Sequence, residues 1–139
     1  MEVATTPAPM AITLDATLSG STSNSYITMA TAVQIAANMP GGGDWIAADE
    51  ELRNLSLIQA TRWLETLNYN GDRCKASQRL KWPRNGAVCD GVTSDCSGIP
   101  YRIQEAEVAL AIKYNSNPSL FPGGGSGGSA PTGTYVKRQ

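Results

Sequence analysis

A mainly α-helical fold, a small bundle of three to four helices with extended N- and C-terminal arms, follows from three features of this sequence. Its 41 % hydrophobic content comes mostly from Ala, Leu, Ile and Val, with aromatics at only 6 %, so the core is modest and leans toward helix formers. Two long segments repeat apolar residues at spacings near three and four, the period of a helix face. Clusters of Gly, Pro, Asn and Ser punctuate them. The chain divides into an extended arm over residues 1–23, a helical domain over 24–120, and a glycine-rich tether with a terminal docking arm over 121–139. The middle part is long enough to bury one core.

Taken in order, Ala11 to Gly20 alternates apolar and polar residues, which suits a short strand or an extended arm. Thr28 can cap an alanine-rich run that Pro40 and Gly41 to Gly43 stop, placing a first helix near Met29 to Asn38. The strongest helical signal runs from Ala47 to Leu67. Acids crowd its start, where they complement the helix dipole, and Asn70-Gly71 ends it. Leu52, Leu55, Ile58, Ala60, Trp63, Leu64 and Leu67 mark its apolar side, and its length of about 30 Å makes it the expected spine of the domain. Cys89 to Pro100, dense in turn formers, is expected to be a loop. Pro100 suits the first position of a last helix, in which Ile103, Ala106, Val108, Leu110, Ala111, Ile112 and Tyr114 give a broad apolar surface.

Charge is unevenly placed. The net charge of −1 argues against a surface that attracts nucleic acid everywhere. The first basic residue is Arg53, whereas Arg73, Lys75, Arg79, Lys81 and Arg84 fall within one acid-free run. An acidic surface around Asp44, Asp49, Glu50 and Glu51 and a separate basic one are therefore expected.

The chain contains no histidine, which removes the commonest general base and most zinc ligand sets, so no enzyme, cofactor or metal site is expected. Glu105 and Glu107 point to different faces of a helix and are expected to be solvated. The acids from Asp49 to Glu51 are explained by helix capping, and neither glycine cluster is followed by the Lys-Ser or Lys-Thr of a phosphate-binding loop. No apolar stretch approaches the length of a membrane span. The N-terminus lacks the pattern of a secretory signal, so a reducing cytosol and free thiols at Cys74, Cys89 and Cys96 are expected, with closure of Cys89 on Cys96 left open.

The stretch LKWPRNG, Leu80 to Gly86, places Trp82 between Lys81 and Arg84, a stacking plane beside phosphate partners of the kind single-stranded nucleic acid uses. The alternative is structural: Trp82 covers the core or a protein interface, Pro83 fixes the chain direction, and Arg84 pairs with an acid. At the C-terminus, Gly123 to Ser129 reads as a flexible tether, and Thr134, Tyr135 and Val136, followed by Lys137 and Arg138, as a strand that adds to a sheet edge of another chain. Disorder or the remnant of an expression tag is the alternative there.

Four blocks together carry a resemblance: NSYITMATA from Asn24, DWIAADEELRNLSLIQATRWLETL from Asp44, LKWPRNG from Leu80 and IPYRIQEAEVALA from Ile99. Covering roughly Asn24 to Ala111, they resemble the tailed-phage head-tail connector, or adaptor, family, whose members often carry the label of DnaT-like single-stranded DNA-binding proteins. The loop from Cys89 to Cys96 and the glycine-rich tail depart from the typical member. The resemblance implies that Tyr26, Trp63, Leu80, Trp82, Pro83, Arg84, Ile99 and Pro100 are chiefly architectural. It implies a virion protein, assembled in the host cytoplasm, that forms a ring of twelve copies at the head-tail junction. Its partners would be the portal and a tail or neck protein, with duplex DNA passing through the lumen without sequence-specific binding and no membrane contact. Portal or subunit contacts would fall on the 134–138 segment and on Asp44, Asp49 and Glu50 meeting Arg73, Lys75, Arg79, Lys81 and Arg84 of the next copy. The second expectation is a single-stranded DNA-binding module that uses the Arg73 to Arg84 segment.

Overall fold

The computed structural model describes residues 12–89 and 91–117. The tether and docking arm expected over 121–139, with the 134–138 contact residues, lie outside the described residues. Among the described residues four helices dominate: α1 (Met29–Ala36), α2 (Gly42–Ala47), α3 (Glu50–Leu64) and α4 (Tyr101–Ser116). Between α3 and α4 lie two antiparallel ladders of two-residue strands, β1 (Asp72–Arg73) with β2 (Arg84–Asn85) and β3 (Val88–Cys89) with β4 (Val92–Thr93). The fold is thus mostly helical, as expected, with a small β component, of which β4 falls inside the Cys89 to Pro100 segment expected to be a loop.

Thr28 caps α1, its Oγ1 accepting the Thr31 N–H at 3.3 Å. The helix stops short of Asn38 because Asn38 and Met39 donate to carbonyls three residues back, tightening the chain into a turn. Gly42 is fixed by close approach. A Cβ there would stand 1.7 Å from the Ala36 carbonyl oxygen, so only glycine lets α2 begin against the end of α1.

The single helix expected from Ala47 to Leu67 is divided. Ala48 and Asp49 are extended, separating α2 from α3. The break lets Trp45 fold fully inside and donate its Nε1–H to Ser56 Oγ on α3 at 2.7 Å. The buried face of α3 is also rotated from the expected stripe: Asn54, Leu57, Ala60, Thr61 and Leu64 point inward, while Leu52, Trp63 and Leu67 are 40 %, 37 % and 38 % exposed. Polar residues tolerate this burial because they are bonded. Asn54 Nδ2 donates to the Ile12 carbonyl at 2.9 Å, and Thr61 Oγ1 to that of Leu57 at 3.0 Å.

The central element is α4 rather than the 47–67 segment, for it packs against α1, α2 and α3. Two apolar clusters result. The first joins Ile27, Ala32, Ile35, Ala36, Trp45, Leu57, Ala60, Val108, Ala111 and Ile112; the second joins Tyr26, Leu64, Leu80, Trp82 and Ala87, and Leu110 borders both. Residues 12–24 form a hydrogen-bonded loop without a strand, tied to α3 where Asn54 bonds the Ile12 carbonyl. In it the Asp15 carboxylate accepts from the Thr17 N–H and the Thr22 hydroxyl, which hold its pKa low.

Candidate nucleic-acid interface

The basic run becomes an ordered loop because its two ends are fastened together. Arg73 pairs with Arg84 in the β1–β2 ladder, and the Cys74 N–H donates to the Pro83 carbonyl at 3.2 Å just inside it. Gly71, before β1, has a φ of +77°, and a Cβ there would meet the Asn85 carbonyl oxygen at 2.4 Å, so the strands close only with glycine at that point.

Side chains then bond to backbone throughout. The Arg84 guanidinium donates to the carbonyls of Asn70 (2.8 Å), Lys81 (3.1 Å), Tyr69 (3.3 Å) and Gly71 (2.6 Å). Buried Gln78 donates to the Leu80 and Pro83 carbonyls at 2.8 and 3.0 Å and accepts the Lys75 N–H at 3.0 Å. At the C-cap of α3, the Glu65 carboxylate accepts the Lys81 N–H at 2.9 Å and the Tyr26 hydroxyl. Burial, followed by that contact with Glu65, raises the Tyr26 pKa. A disulfide joins Cys74 to Cys96, with Cα atoms 5.8 Å apart. The free thiols expected at these two positions are therefore a correction, and Cys96 is not bonded to Cys89.

What the loop shows outward is cationic. Arg73, Lys75 and Arg79 are exposed, while Lys81 and Arg84 are half-buried. Lys81 Nζ donates to the Leu67 carbonyl at 2.7 Å, Arg73 Nη1 to that of Gln78 at 2.8 Å, and Arg79 Nη1 to that of Ser23 at 3.4 Å. Carbonyl partners satisfy donors without cancelling charge, so the loop keeps a positive field. Arg84, expected to pair with an acid if structural, instead clamps backbone. Its reach outward is limited by those bonds.

Trp82 is 4 % exposed, set edge-on to Tyr69 with ring centroids 5.2 Å apart, and Pro83 is buried beside it. The ring is therefore core, not a stacking plane for a base. Tyr26 is buried, Ile99 and Pro100 are half-buried, and Trp63 lies largely outside the core. Asp44, Asp49 and Glu50 are exposed on α2 and at the start of α3, away in sequence from the cationic loop.

Sequence reasoning missed the polar residues that hold this arrangement, chiefly Glu65, Gln78 and Glu107. Glu107, expected to be solvated, has no exposure. It accepts the Tyr26 N–H at 3.0 Å and lies 2.7 Å from Ser25 Oγ. Burial pushes its pKa up to about 7. Ser25 Oγ also stands 2.8 Å from the Ile27 carbonyl, and one hydroxyl proton cannot serve both acceptors. A protonated Glu107 donating to Ser25 Oγ resolves the conflict.

Among the described residues, no group of three or more His, Cys, Asp or Glu side chains is placed to hold a metal ion, and no helix is long and apolar enough to cross a membrane. Fold and site together define a small, mostly helical domain that carries one ordered cationic loop. The chain belongs to the family described as "Putative DnaT-like ssDNA binding protein", whose model matches residues 10–130. No curated protein and no solved structure matches it. The matched family is not one of head-tail connectors, so the connector role expected from the resemblance is wrong. The ring and portal contacts expected with it rest on that role alone.

Proposed function

We propose that this protein binds single-stranded DNA through the loop between β1 and β2, as a binding module with no catalytic step of its own. The observation that carries the reading is that Arg73, Lys75 and Arg79 stand exposed on a loop fastened by Arg84, Gln78, Glu65 and the Cys74–Cys96 disulfide. A fastened loop holds its cations in place before the ligand arrives, which lowers the ordering cost of binding. The family match supports the choice of a single strand as ligand.

Titration of a labelled oligo-dT at several salt concentrations tests this. Each phosphate neutralised on a single strand contributes about −0.7 to the slope of log K against log salt. Replacing Arg73, Lys75 and Arg79 together by Ala should weaken binding and flatten that slope by about 2. An unchanged slope would sink the proposal.

A further inference from the structure

With Trp82 inside the core, the cationic loop offers phosphate contacts but no plane on which a base can stack. An aromatic surface exists nearby on other elements. Between β4 and the start of α4 lies an open cleft of about 390 Å³, lined among others by Val92, Thr93, Asp95, Pro100, Tyr101 and Arg102. Tyr101 and Val92 are 58 % and 68 % exposed, so two large apolar side chains face solvent on this cleft.

The cleft is covalently tied to the cationic loop. Cys96 stands between the lining residues Asp95 and Ser97, and its sulfur is bonded to Cys74, which stands between Arg73 and Lys75. The two cysteine Cα atoms are 5.8 Å apart. One further backbone step of about 3.8 Å places the Cα atoms of Arg73 and Lys75 within about 10 Å of that of Cys96. Asp95 accepts from the Ser97 N–H at 2.9 Å and the Ser97 hydroxyl at 2.6 Å, and these bonds hold its pKa low. Asp95 and Arg102 both line the cleft, so the charges of its lining offset each other, whereas the loop carries Arg73, Lys75 and Arg79; phosphates therefore belong on the loop and an uncharged base in the cleft.

We infer that the cleft between β4 and α4 takes a base of the bound strand, stacked on Tyr101, while Arg73 and Lys75 hold neighbouring phosphates. The inference rests on the single-stranded DNA reading above. A stacked base contributes a factor of about five to a hundred in affinity. The flanking cations set the salt dependence independently of the ring.

The test compares the wild type, Tyr101→Ala, Tyr101→Phe and the Arg73, Lys75, Arg79→Ala triple variant for binding of labelled oligo-dT by fluorescence anisotropy, with circular dichroism to confirm the fold. Tyr101→Ala should weaken binding about fivefold or more with the salt slope kept, Tyr101→Phe should stay within about twofold, and the triple variant should flatten the slope. If Tyr101→Ala binds like the wild type while the triple variant is weakened, the cleft holds no base and the DNA reading stands. Equal losses in Tyr101→Ala and Tyr101→Phe would assign the contact to the hydroxyl and overturn stacking. No binding of oligo-dT by the wild type at low salt overturns both readings.

Discussion

The two apolar clusters are built by different physics. The helical one, around Trp45, Leu57, Val108 and Ala111, is made of side chains from α1 to α4 and the segment before α1, and apolar burial holds it together. The one beneath the cationic loop, around Trp82, Leu80 and Ala87, is smaller: it rests on Leu64 of α3 and on Ile103, Ala106 and Leu110 of α4, and its other side is covered by chain that has almost no regular structure. That chain satisfies its backbone through Arg84, Gln78 and Glu65 instead of a helix or a wide sheet. The difference teaches where tolerance lies. Burial accepts any side chain of similar volume, whereas a clamp on named carbonyls accepts only one donor geometry.

The largest effect that sharpens this contrast is expected at Trp82. Trp82→Ala should cost about 3 to 5 kcal/mol in urea unfolding, because the ring is almost wholly enclosed. Trp63→Ala, on a ring 37 % exposed, should cost much less. Equal losses would mean that the loop cluster is not a separate core.

The disulfide comes next. It closes a segment of sequence separation 22, for which chain entropy gives about 3 kcal/mol, and less to the extent that β1 and β2 already hold the loop ends together. The Cys74→Ser, Cys96→Ser double variant should lose hydrogen-exchange protection from residue 72 to residue 99 while α1, α3 and α4 keep theirs. Uniform loss across the helices would show that the two regions unfold as one.

Glu107 ties the regions together, since it reaches from α4 to Ser25 and Tyr26, and Tyr26 belongs to the loop cluster. Its folded pKa of about 7 lies above the ordinary value of 4.5, so its contribution is complete below pH 4.5 and is lost as pH rises through 7. At 1.36 kcal/mol per pKa unit this amounts to a loss of about 3 kcal/mol. Glu107→Gln, which keeps a donor for Ser25 Oγ and an acceptor for the Tyr26 N–H, should remove that decline from stability measured between pH 4.5 and 8. A wild type that holds its stability across this range would contradict the buried acid.

The smallest effect tests the clamp itself. Arg84→Lys keeps the charge but cannot reach four carbonyls at once, and should cost about 2 kcal/mol, whereas Leu57→Met in the helical cluster should cost under about 1.5. If the lysine variant is as stable as the wild type, charge rather than geometry holds the loop.

The sequence by itself determined the helical class, the start of α1 at Thr28, the start of α4 to within one residue, with Pro100 the cap and not the first helical position, and the segregation of cations into one run, because each depends on neighbours within a few residues. Capping, turn chemistry and charge runs are local and can be read directly. Only the tertiary structure decided the break at Ala48, the rotation of the α3 face toward Leu57 and Thr61, the burial of Glu107, and the pairing of Cys74 with Cys96. Each of these turns on a contact from outside its own helix or loop: Trp45 reaching Ser56, Ser25 and Tyr26 reaching Glu107, and Cys96 reaching Cys74 just after β1. A polar residue reads as surface in sequence because water is its default partner; it goes inside only when the fold brings another donor or acceptor to it, and that encounter is not written in its neighbours.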